Sequence, residues 1–418
     1  MSGRAVITGV GVVAPSGTSA DEHWATVTAG ASRLGPISAF DASSYPTRVA
    51  GEVRDLDIAA AMDGRLRVQT DRWTQMAFAA AEEALADAAL RLADADPYRV
   101  SVVMASSSGG NQFGQHELQR LWSQPSRTVS AYQSIAWFYA ATVGQLSIRH
   151  QAKGPSNVLV SESAGGLESL AHAARVLRRG VSVVLAGGLE APLSPYALAC
   201  QVASRMLSRD EDPLSAYRPF DITASGYVPG EGGAVLVAED LDHAIARGAP
   251  AIQAEIVGWG TTHDGRHASS DPGHEQYARS MRMALDRAGT RPDEVDLLIP
   301  DAMGVPGYDR GEARAITEVF GPRGVPVTSH KSLTGRMYQG GAALDVVTAL
   351  RAMREQVIPA MTGLAQPPED YDIDFVHTAR ETSVSKVLVC ARGFDGYNSS
   401  LLLARYQKGE PRDTAGGT

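Results

Sequence analysis

The segment best placed to carry a nucleophile is residues 158–168, VLVSESAGGLE, where an apolar run meets a turn of small residues. A helix is predicted to begin at residue 167, so Ser163 would stand at the tip of a strand-to-helix turn. Backbone N–H groups and the helix dipole can stabilise a negative oxygen there. Residues 161–165, SESAG, half-match the G-x-S-x-G motif of serine hydrolases. Ser163 is therefore either a hydrolase or acyl-transfer nucleophile, or a small residue in a vestigial turn.

Two further loops follow predicted strands, where α/β proteins build their sites: residues 301–307, DAMGVPG, and 331–341, KSLTGRMYQGG. A serine nucleophile needs a base within hydrogen-bond reach, yet none of the three loops contains histidine. Met303 and Arg336 stand where a proton carrier would be sought. Methionine carries no proton, and arginine stays protonated at any ordinary pH. Loss of a general acid or base typically removes about 10²–10⁴-fold of rate, so these residues predict a deficient site.

Three charged residues in or near these loops have two interpretations. Lys331 could bind a carboxylate or a phosphate, or it could be part of a structural ion pair. Asp309 and Glu312 are spaced to share one face of a helix. We expect all three to support the loops, with Lys331 as a candidate partner of the two carboxylates.

Short β-branched runs alternate with helical patterns along the chain. Strands are predicted at 4–13, 99–108, 157–163, 181–188 and 251–265, and twice within 384–406; a strand followed by a loop is predicted at 294–307 and at 325–335. Helices are predicted at 71–92, 134–150, 167–180, 276–289, 311–321 and 340–356, and 232–248 is predicted to be a strand followed by a helix. This alternation favours an α/β protein with parallel sheets covered on both faces. Its repetition predicts two similar halves, 2–249 and 250–406, and a flexible tail at 407–418.

Composition excludes several function classes. The 418 residues are 44% hydrophobic and 20% charged, which suits a globular protein with a large core. The net charge of −9 argues against nucleic-acid binding, and no apolar run approaches the roughly 20 residues that span a bilayer. Cys200 and Cys390 form neither a disulfide framework nor a zinc motif, so we expect two core residues in a reducing cytoplasm. We also expect no metal and no cofactor.

The three loops, together with their flanking segments, resemble those of the β-ketoacyl synthases of the thiolase fold, over residues 3 to about 405. That family carries Cys in STGCTSG, His in NxHGTGT and a second His in KSxxGH. The matching positions here hold Ser163, Met303 and Arg336, so the resemblance implies that all three catalytic groups are absent. It also implies an α/β thiolase-like duplicated fold of layered helices and mixed sheets, αβαβα.

Two other segments carry the same resemblance. Residues 218–237, RPFDITASGYVPGEGGAVLV, are similar to the family's RPFDxxRxGFVxGEGAxxLV. Residues 393–398, GFDGYN, match its Gly-rich closing turn and place Phe394 at its gating aromatic. Lys331 and the acidic pair Asp309 and Glu312 also have counterparts in the family.

Three segments resemble, more narrowly, the chain-length factors, which are the ketosynthase β-subunits of bacterial aromatic type II polyketide synthases. DAMGVPGYD (301–309) is similar to DAAGVPxxD, KSLTGRMYQGGAALDV (331–346) to KTMTGRLYSGGAPLDV, and GGNQFGQHELQRLWSQ (109–124) to GGFxFxxRExxxLW. This implies a catalytically incomplete subunit that pairs with a ketosynthase α-subunit. An acyl carrier protein would carry the malonyl units and the polyketide chains. That group usually has Gln where Ser163 stands here.

The resemblance also implies that the helix at 109–122 lines a tunnel at the subunit interface, where bulky residues stop a growing polyketide early. The matching positions are Asn111, Gly114 and Leu118, and Tyr196 is a further candidate wall. Small or flexible groups leave more room, so we expect a comparatively long product. The alternative is that these are ordinary interface residues.

The sequence is therefore compatible with three functions. The first is a β-subunit that sets polyketide length, with the apolar helix at 134–150 supplying part of a large, apolar interface. Acyl carrier proteins are acidic, as this chain is, so the carrier would dock mainly on the α-subunit. The second is an independent Ser-dependent acyl hydrolase or acyltransferase, which needs a histidine from outside the three loops. The third is a structural scaffold with no tunnel role.

Overall fold

The computed structural model describes residues 3–265 and 272–408. Its strands are β1 (Ala5–Val13), β2 (Leu34–Pro36), β3 (Val49–Gly51), β4 (Val100–Ala105), β5 (Asn157–Leu159), β6 (Val183–Glu190), β7 (Gly232–Asp240), β8 (Ala254–His263), β9 (Leu297–Ile299), β10 (Pro326–Val327), β11 (Val357–Ile358), β12 (Asp374–Phe375), β13 (Arg380–Glu381), β14 (Lys386–Arg392) and β15 (Tyr397–Ala404). From residue 409 onward, the predicted flexible tail lies outside the described residues.

The helices of the described residues include the three predicted to follow the chemistry-bearing loops. They are α1 (Ala20–Ala29), α2 (Ile58–Ala61), α3 (Gly64–Gln69), α4 (Arg72–Asp87), α5 (Asn111–Ser123), α6 (Gln133–Ala136), α7 (Ala141–His150), α8 (Gly165–Leu177), α9 (Pro195–Ala203), α10 (Leu241–Ala246), α11 (Glu275–Ala288), α12 (Pro306–Phe320), α13 (Lys331–Thr334) and α14 (Gln339–Glu355). Helices α8, α12 and α14 follow the loops that hold Ser163, Met303 and Arg336.

The main sheet repeats one strand order. It runs β12-β10-β9-β14-β15-β8-β1-β7-β6-β4-β5. When the five main strands of each half are numbered in chain order, both halves have the order third, second, fourth, fifth, first. In each half the fifth strand pairs antiparallel with the first and fourth, while the second pairs parallel with the third and fourth. The sheet is therefore mixed, as the resemblance implied; the boundary between residues 249 and 250 stays a prediction.

Helices cover and separate the two halves of the sheet. Helices α8 and α14 lie between the halves and share one buried cluster with strands of both. Helices α4 and α7 pack on the outer face of the first half, and α11 and α12 on the outer face of the second. The succession is helix, sheet, helix, sheet, helix. Each fully buried Leu or Val side chain contributes about 1.5–3 kcal/mol, so the shared helical layer joins the halves strongly.

The two glycines that begin α8 have a packing reason. A Cβ atom on Gly165 would lie 1.7 Å from Oε1 of Gln339, and one on Gly166 would lie 2.4 Å from the Gln339 carbonyl oxygen. Gln339 is the first residue of α14. The pair of glycines therefore allows the first turns of the two central helices to touch.

The helix predicted at 134–150 is broken into α6 and α7. The carbonyl of Trp137 accepts a hydrogen bond from the backbone N–H of Gly110 at 3.1 Å. The N–H of Ala141, which would reach that carbonyl in a continuous helix, instead donates to Phe138 at 2.8 Å. The expectation of one helix is wrong because a contact with Gly110 interrupts the ladder.

Two other expectations concern side chains and membranes. Cys390 is buried but Cys200 is exposed, so the expectation of two core cysteines is wrong for Cys200. Within residues 3–265 and 272–408, no helix combines the length and apolarity needed to cross a bilayer. Over the same residues, no group of three or more His, Cys, Asp or Glu side chains is arranged to hold a metal ion.

Candidate functional site

Ser163 lies in a single 3-10 turn, Glu162–Ala164, immediately before α8. Glu162 adopts a left-handed conformation with φ of 47°, which turns the chain sharply at this point. The Ser163 side chain is buried, and its Oγ has no hydrogen-bond partner among the described residues. A serine hydroxyl is a weak nucleophile without a base, so the turn presents a residue that nothing activates.

Met303 and Arg336 line one cavity of about 150 Å³. Glu162 and Phe394 line it as well, so residues from the first, second, third and closing loops meet there. Ser163 does not line this cavity, although Glu162, the residue before it, does. The other lining residues are Cys200, Gln201, Ser204, Met206, Tyr227 and Tyr338.

Arg336 is held in a bidentate ion pair. Its two terminal nitrogens lie 2.8 and 3.2 Å from the carboxylate oxygens of Asp301, and it also donates to the carbonyl of Arg392 at 2.7 Å. Burial lowers the pKa of Arg336, but Asp301 and Glu162 outweigh burial and raise that pKa well above its ordinary value. The guanidinium is therefore a fixed cation that cannot exchange a proton during a reaction.

Glu162 is a site residue that sequence analysis missed. Its Oε2 accepts a hydrogen bond from the backbone N–H of Phe394 at 2.9 Å. Burial raises the pKa of this carboxyl group, while Arg336 acts in the opposite direction. The signal was present in the sequence, because an acidic residue directly precedes the nucleophile position in SES.

Asp309 and Glu312 hold the backbone of the second loop. Asp309 accepts hydrogen bonds from the N–H groups of Gly304 and Phe220 at 2.9 and 2.8 Å. Glu312 accepts from the N–H groups of residues 301 and 302 at 2.7 and 2.8 Å. Burial raises the pKa of Asp309 to about 8 and that of Glu312 to about 7. Both carboxyl groups therefore shape the loop from the buried face of α12.

Lys331 does not pair with these two carboxyl groups. Its ammonium donates to Asp345 on α14 and to the carbonyl of Pro300. Burial raises the pKa of Asp345 to about 6, and the ammonium works against that rise. The expected pairing with Asp309 or Glu312 is wrong, because Lys331 begins α13 and points to the neighbouring α14.

The four residues predicted as tunnel walls lie around one cavity. Asn111, Gly114, Leu118 and Tyr196 all line a cavity of about 580 Å³ at the surface of the chain. The backbone N–H of Tyr196 donates to the side-chain oxygen of Gln115 at 2.9 Å, which ties α9 to α5. Long-range folding thus brings Tyr196 to the three residues that are close together in sequence.

Helix α9 contributes to both cavities. Cys200 and Gln201 line the smaller cavity, and Tyr196, one turn earlier, lines the larger one. Because Tyr196 and Cys200 are four residues apart, they share one face of α9, so this helix links the remnant of the catalytic site to the cavity beside α5.

The space beside Gly114 is filled. A Cβ atom at this position would lie 2.7 Å from Cδ1 of Trp137, which real side chains do not tolerate. The expectation that Gly114 leaves additional room is wrong at this position, because an indole from another segment already occupies the room. Trp137 could not be recognised as a wall from the sequence, because the pattern predicted that this residue lies inside a continuous helix.

Two known protein-family models match this chain. The N-terminal domain of beta-ketoacyl synthase matches residues 3–244, and the C-terminal domain matches residues 253–365. The chain belongs to the β-ketoacyl synthase family. It is 50% identical over 403 residues to the tetracenomycin polyketide synthase ketoacyl synthase beta subunit of Streptomyces glaucescens, which covers 96% of this chain and 98% of that relative. The resemblance to the ketosynthase β-subunits is confirmed.

Two solved structures of β-ketoacyl synthase relatives are similar along nearly the whole chain. The ishigamide ketosynthase/chain length factor has a TM-score of 0.90 at 28% identity, covering 97% of this chain and 99% of that one. A chain from the complex of a type II polyketide synthase acyl-carrier protein with its ketosynthase bound to the hexaketide is also similar. Its TM-score is 0.87 at 26% identity, and the match covers 96% of this chain and 99% of that one. The thiolase-like fold is confirmed.

Proposed function

We propose that this chain is the non-condensing β-subunit of a type II polyketide synthase ketosynthase heterodimer. In that role it shapes the polyketide tunnel and sets the length of the chain. The observation that carries the proposal is the single cavity lined by Asn111, Gly114, Leu118 and Tyr196. An open cavity beside a chemically inert site suits a subunit that holds a product and does not make it.

The surface around this cavity is suited to a protein partner. We call it the aromatic patch, and its residues are 40–73% exposed. Contiguous apolar patches on soluble proteins mark interaction sites, and aromatic residues are enriched in the cores of interfaces. The proposed partner is a ketosynthase α-subunit, which would cover the patch and close the tunnel. The patch consists of Leu118, Trp122, Trp137, Phe138, Tyr139 and Tyr196.

The division of chemistry follows from the site. The α-subunit would perform the decarboxylative condensations on malonyl units carried by an acyl carrier protein, because Met303 and Arg336 here move no proton. The carrier would dock mainly on the α-subunit, since this chain and such carriers are both acidic. The assembly would work in the cytoplasm, where its carrier and substrates are.

The hydrolase alternative lacks support at its nucleophile. Ser163 Oγ has no partner among the described residues, so no histidine activates it. The relatives are polyketide ketosynthase subunits rather than hydrolases. Turnover of acyl thioesters by the isolated chain, abolished in Ser163→Ala, would contradict this interpretation.

Product length in the reconstituted pair tests the proposal. The chain, its α-subunit and a malonyl-loaded acyl carrier protein are combined, and the polyketides are sized by mass spectrometry. Asn111→Phe adds a ring to the cavity wall and is expected to shorten the product. Thr28→Phe adds the same ring to the exposed face of α1 and is expected to leave the length unchanged. If the pairs containing Asn111→Phe and Thr28→Phe make polyketides of the same length, the proposal is contradicted.

A further inference from the structure

We infer that Trp137 is the side chain that limits the tunnel at the level of Gly114. This inference rests on the proposed function and adds to it a length-determining residue outside α5. Trp137 lines the same cavity as Asn111, Leu118 and Tyr196, although it comes from the segment between α6 and α7.

The backbone of Trp137 is fixed against the start of α5. Gly110 donates its N–H to the Trp137 carbonyl at 3.1 Å. A Cβ on Gly109 would lie 2.7 Å from that carbonyl oxygen, and one on Gly110 would lie 2.0 Å from the carbonyl oxygen of Ala136. Gly109 also has φ of 60°, which favours glycine. Two consecutive glycines thus let the 136–137 backbone lie directly on the helix start.

The indole rests on a third glycine. From a Cβ built on Gly114, the distances are 2.7 Å to Cδ1, 3.4 Å to Nε1 and 3.6 Å to Cγ of Trp137. The five-membered ring therefore packs on the bare backbone of α5. The side chain is still 52% exposed, so the rest of the ring system faces the cavity and the surface.

In this arrangement a side chain at position 114 and the indole of Trp137 would compete for the same space. Any side chain at 114 must displace the indole, and the cavity is the open space beside it. The wall that a growing chain meets is then set by the pair of residues and not by the size of residue 114. An apolar chain pressed against this wall would contact the face of an aromatic ring.

The inference is tested by a double-mutant cycle on product length in the reconstituted heterodimer. Trp137→Ala removes the wall, so the distribution is expected to shift by one or more extension rounds toward longer polyketides. Gly114→Ala drives the indole into the cavity and is expected to shorten them. In the double variant the added methyl group has no indole to displace, so the products should match those of Trp137→Ala.

Two control variants distinguish a role of Trp137 as the tunnel wall from a role in binding the α-subunit. Phe138→Ala removes the adjacent aromatic of the patch, which packs on Tyr139 and does not line the cavity. It is expected to lower the yield through weaker pairing without changing the length. If Trp137→Ala does not pair with the α-subunit, Trp137→Phe keeps an aromatic ring at the interface and removes the larger ring system. It is expected to lengthen the product by a smaller step.

The outcomes distinguish this inference from the proposed function. If Asn111→Phe shortens the product while Trp137→Ala and Trp137→Phe leave it unchanged, Trp137 is not the wall and the proposed function stands. If the double variant still shows the shortening of Gly114→Ala, the coupling through the indole is refuted. If no cavity variant changes the length, the proposed function fails and this inference fails with it.

Discussion

Each buried charge at the site is committed to specific partners. Arg336 is paired with Asp301, and Lys331 with Asp345. Removing one partner of a buried ion pair leaves an uncompensated charge and typically costs about 3–5 kcal/mol, whereas exposed pairs contribute about 0–1 kcal/mol. Breaking either pair is therefore costly, and both pairs fix charges at positions where an active relative would need mobile protons.

The first prediction concerns the cation at the lost catalytic position. Arg336→Met should lower the free energy of unfolding by about 3–5 kcal/mol, because Asp301 is left buried without its partner. Arg354→Met, at an exposed position on α14, should change it by less than about 1 kcal/mol. Denaturant unfolding monitored by circular dichroism measures both values. Equal losses in the two variants would show that leaving Asp301 without its partner carries no special cost.

The second prediction concerns pH. Burial raises the pKa of folded Asp309 to about 8, so the folded state binds the proton more tightly than the unfolded state, with a pKa of about 3.9. This contribution to stability is complete below pH of about 4 and is lost as the pH rises through about 8. Asp309→Asn should reduce the overall free energy of unfolding, through the loss of a hydrogen bond, but should flatten the decrease of that free energy between pH about 4 and about 8. Unfolding midpoints across that range test this, and an unchanged slope would contradict it.

The residue types in the three loops showed that the catalytic proton carriers are absent, but they did not show which partners the charged residues have. Met303 and Arg336 could be identified from sequence because their side-chain chemistry excludes proton transfer in any environment. The pairing of Lys331 with Asp345 could not, because it depends on how α13 meets α14. Glu162 stands beside the nucleophile position in the sequence, but its role depends on a hydrogen bond from Phe394 and on the charge of Arg336, which are both distant in sequence.

At the scale of elements, glycines decide how close two segments approach. Gly165 and Gly166 allow α8 to touch α14, and Gly110 allows the segment after α6 to lie on α5. Periodicity predicted α4, α8, α11, α12 and α14 and most of the strands, because it is a local property. It missed the break between α6 and α7, which is caused by a hydrogen bond from a residue more than twenty positions away.

The third prediction tests that approach. Gly110→Ala places a methyl group 2.0 Å from the carbonyl oxygen of Ala136 and 2.9 Å from Cα of Trp137, so the segment must move. We expect loss of stability and weaker binding of the α-subunit, measured by thermal unfolding and by calorimetry. Gly144→Ala, in α7 with open space around it, should be neutral or stabilise by up to about 1 kcal/mol. Identical behaviour of the two variants would contradict the packing argument.

At the scale of the whole molecule, the two halves share one helical layer. The repeated strand order shows that each half has the same topology, and the sequence pattern predicted that repetition. Periodicity did not predict that β1 and β8 would pair, or that α8 and α14 would be enclosed by both halves. Those contacts join distant parts of the chain and leave no local pattern.

The fourth prediction follows from the shared layer. A fragment of residues 1–249 lacks α14, which fills much of the cluster around α8. We expect the fragment to show no cooperative thermal transition, while mixing it with a fragment of residues 250–418 should restore one. Circular dichroism and amide hydrogen exchange report the difference. A fragment that unfolds cooperatively alone would show that its half is an independent unit.

The ion pair of Arg336 with Asp301 has an evolutionary consequence. Arg336→His would abandon a buried carboxylate and the Arg392 carbonyl together, so it carries a stability penalty before any catalytic benefit exists. Ser163→Cys and Met303→His leave this ion pair in place. Of the three reversions, the one at Arg336 therefore has to be accompanied by a new partner for Asp301 if the fold is to keep its stability.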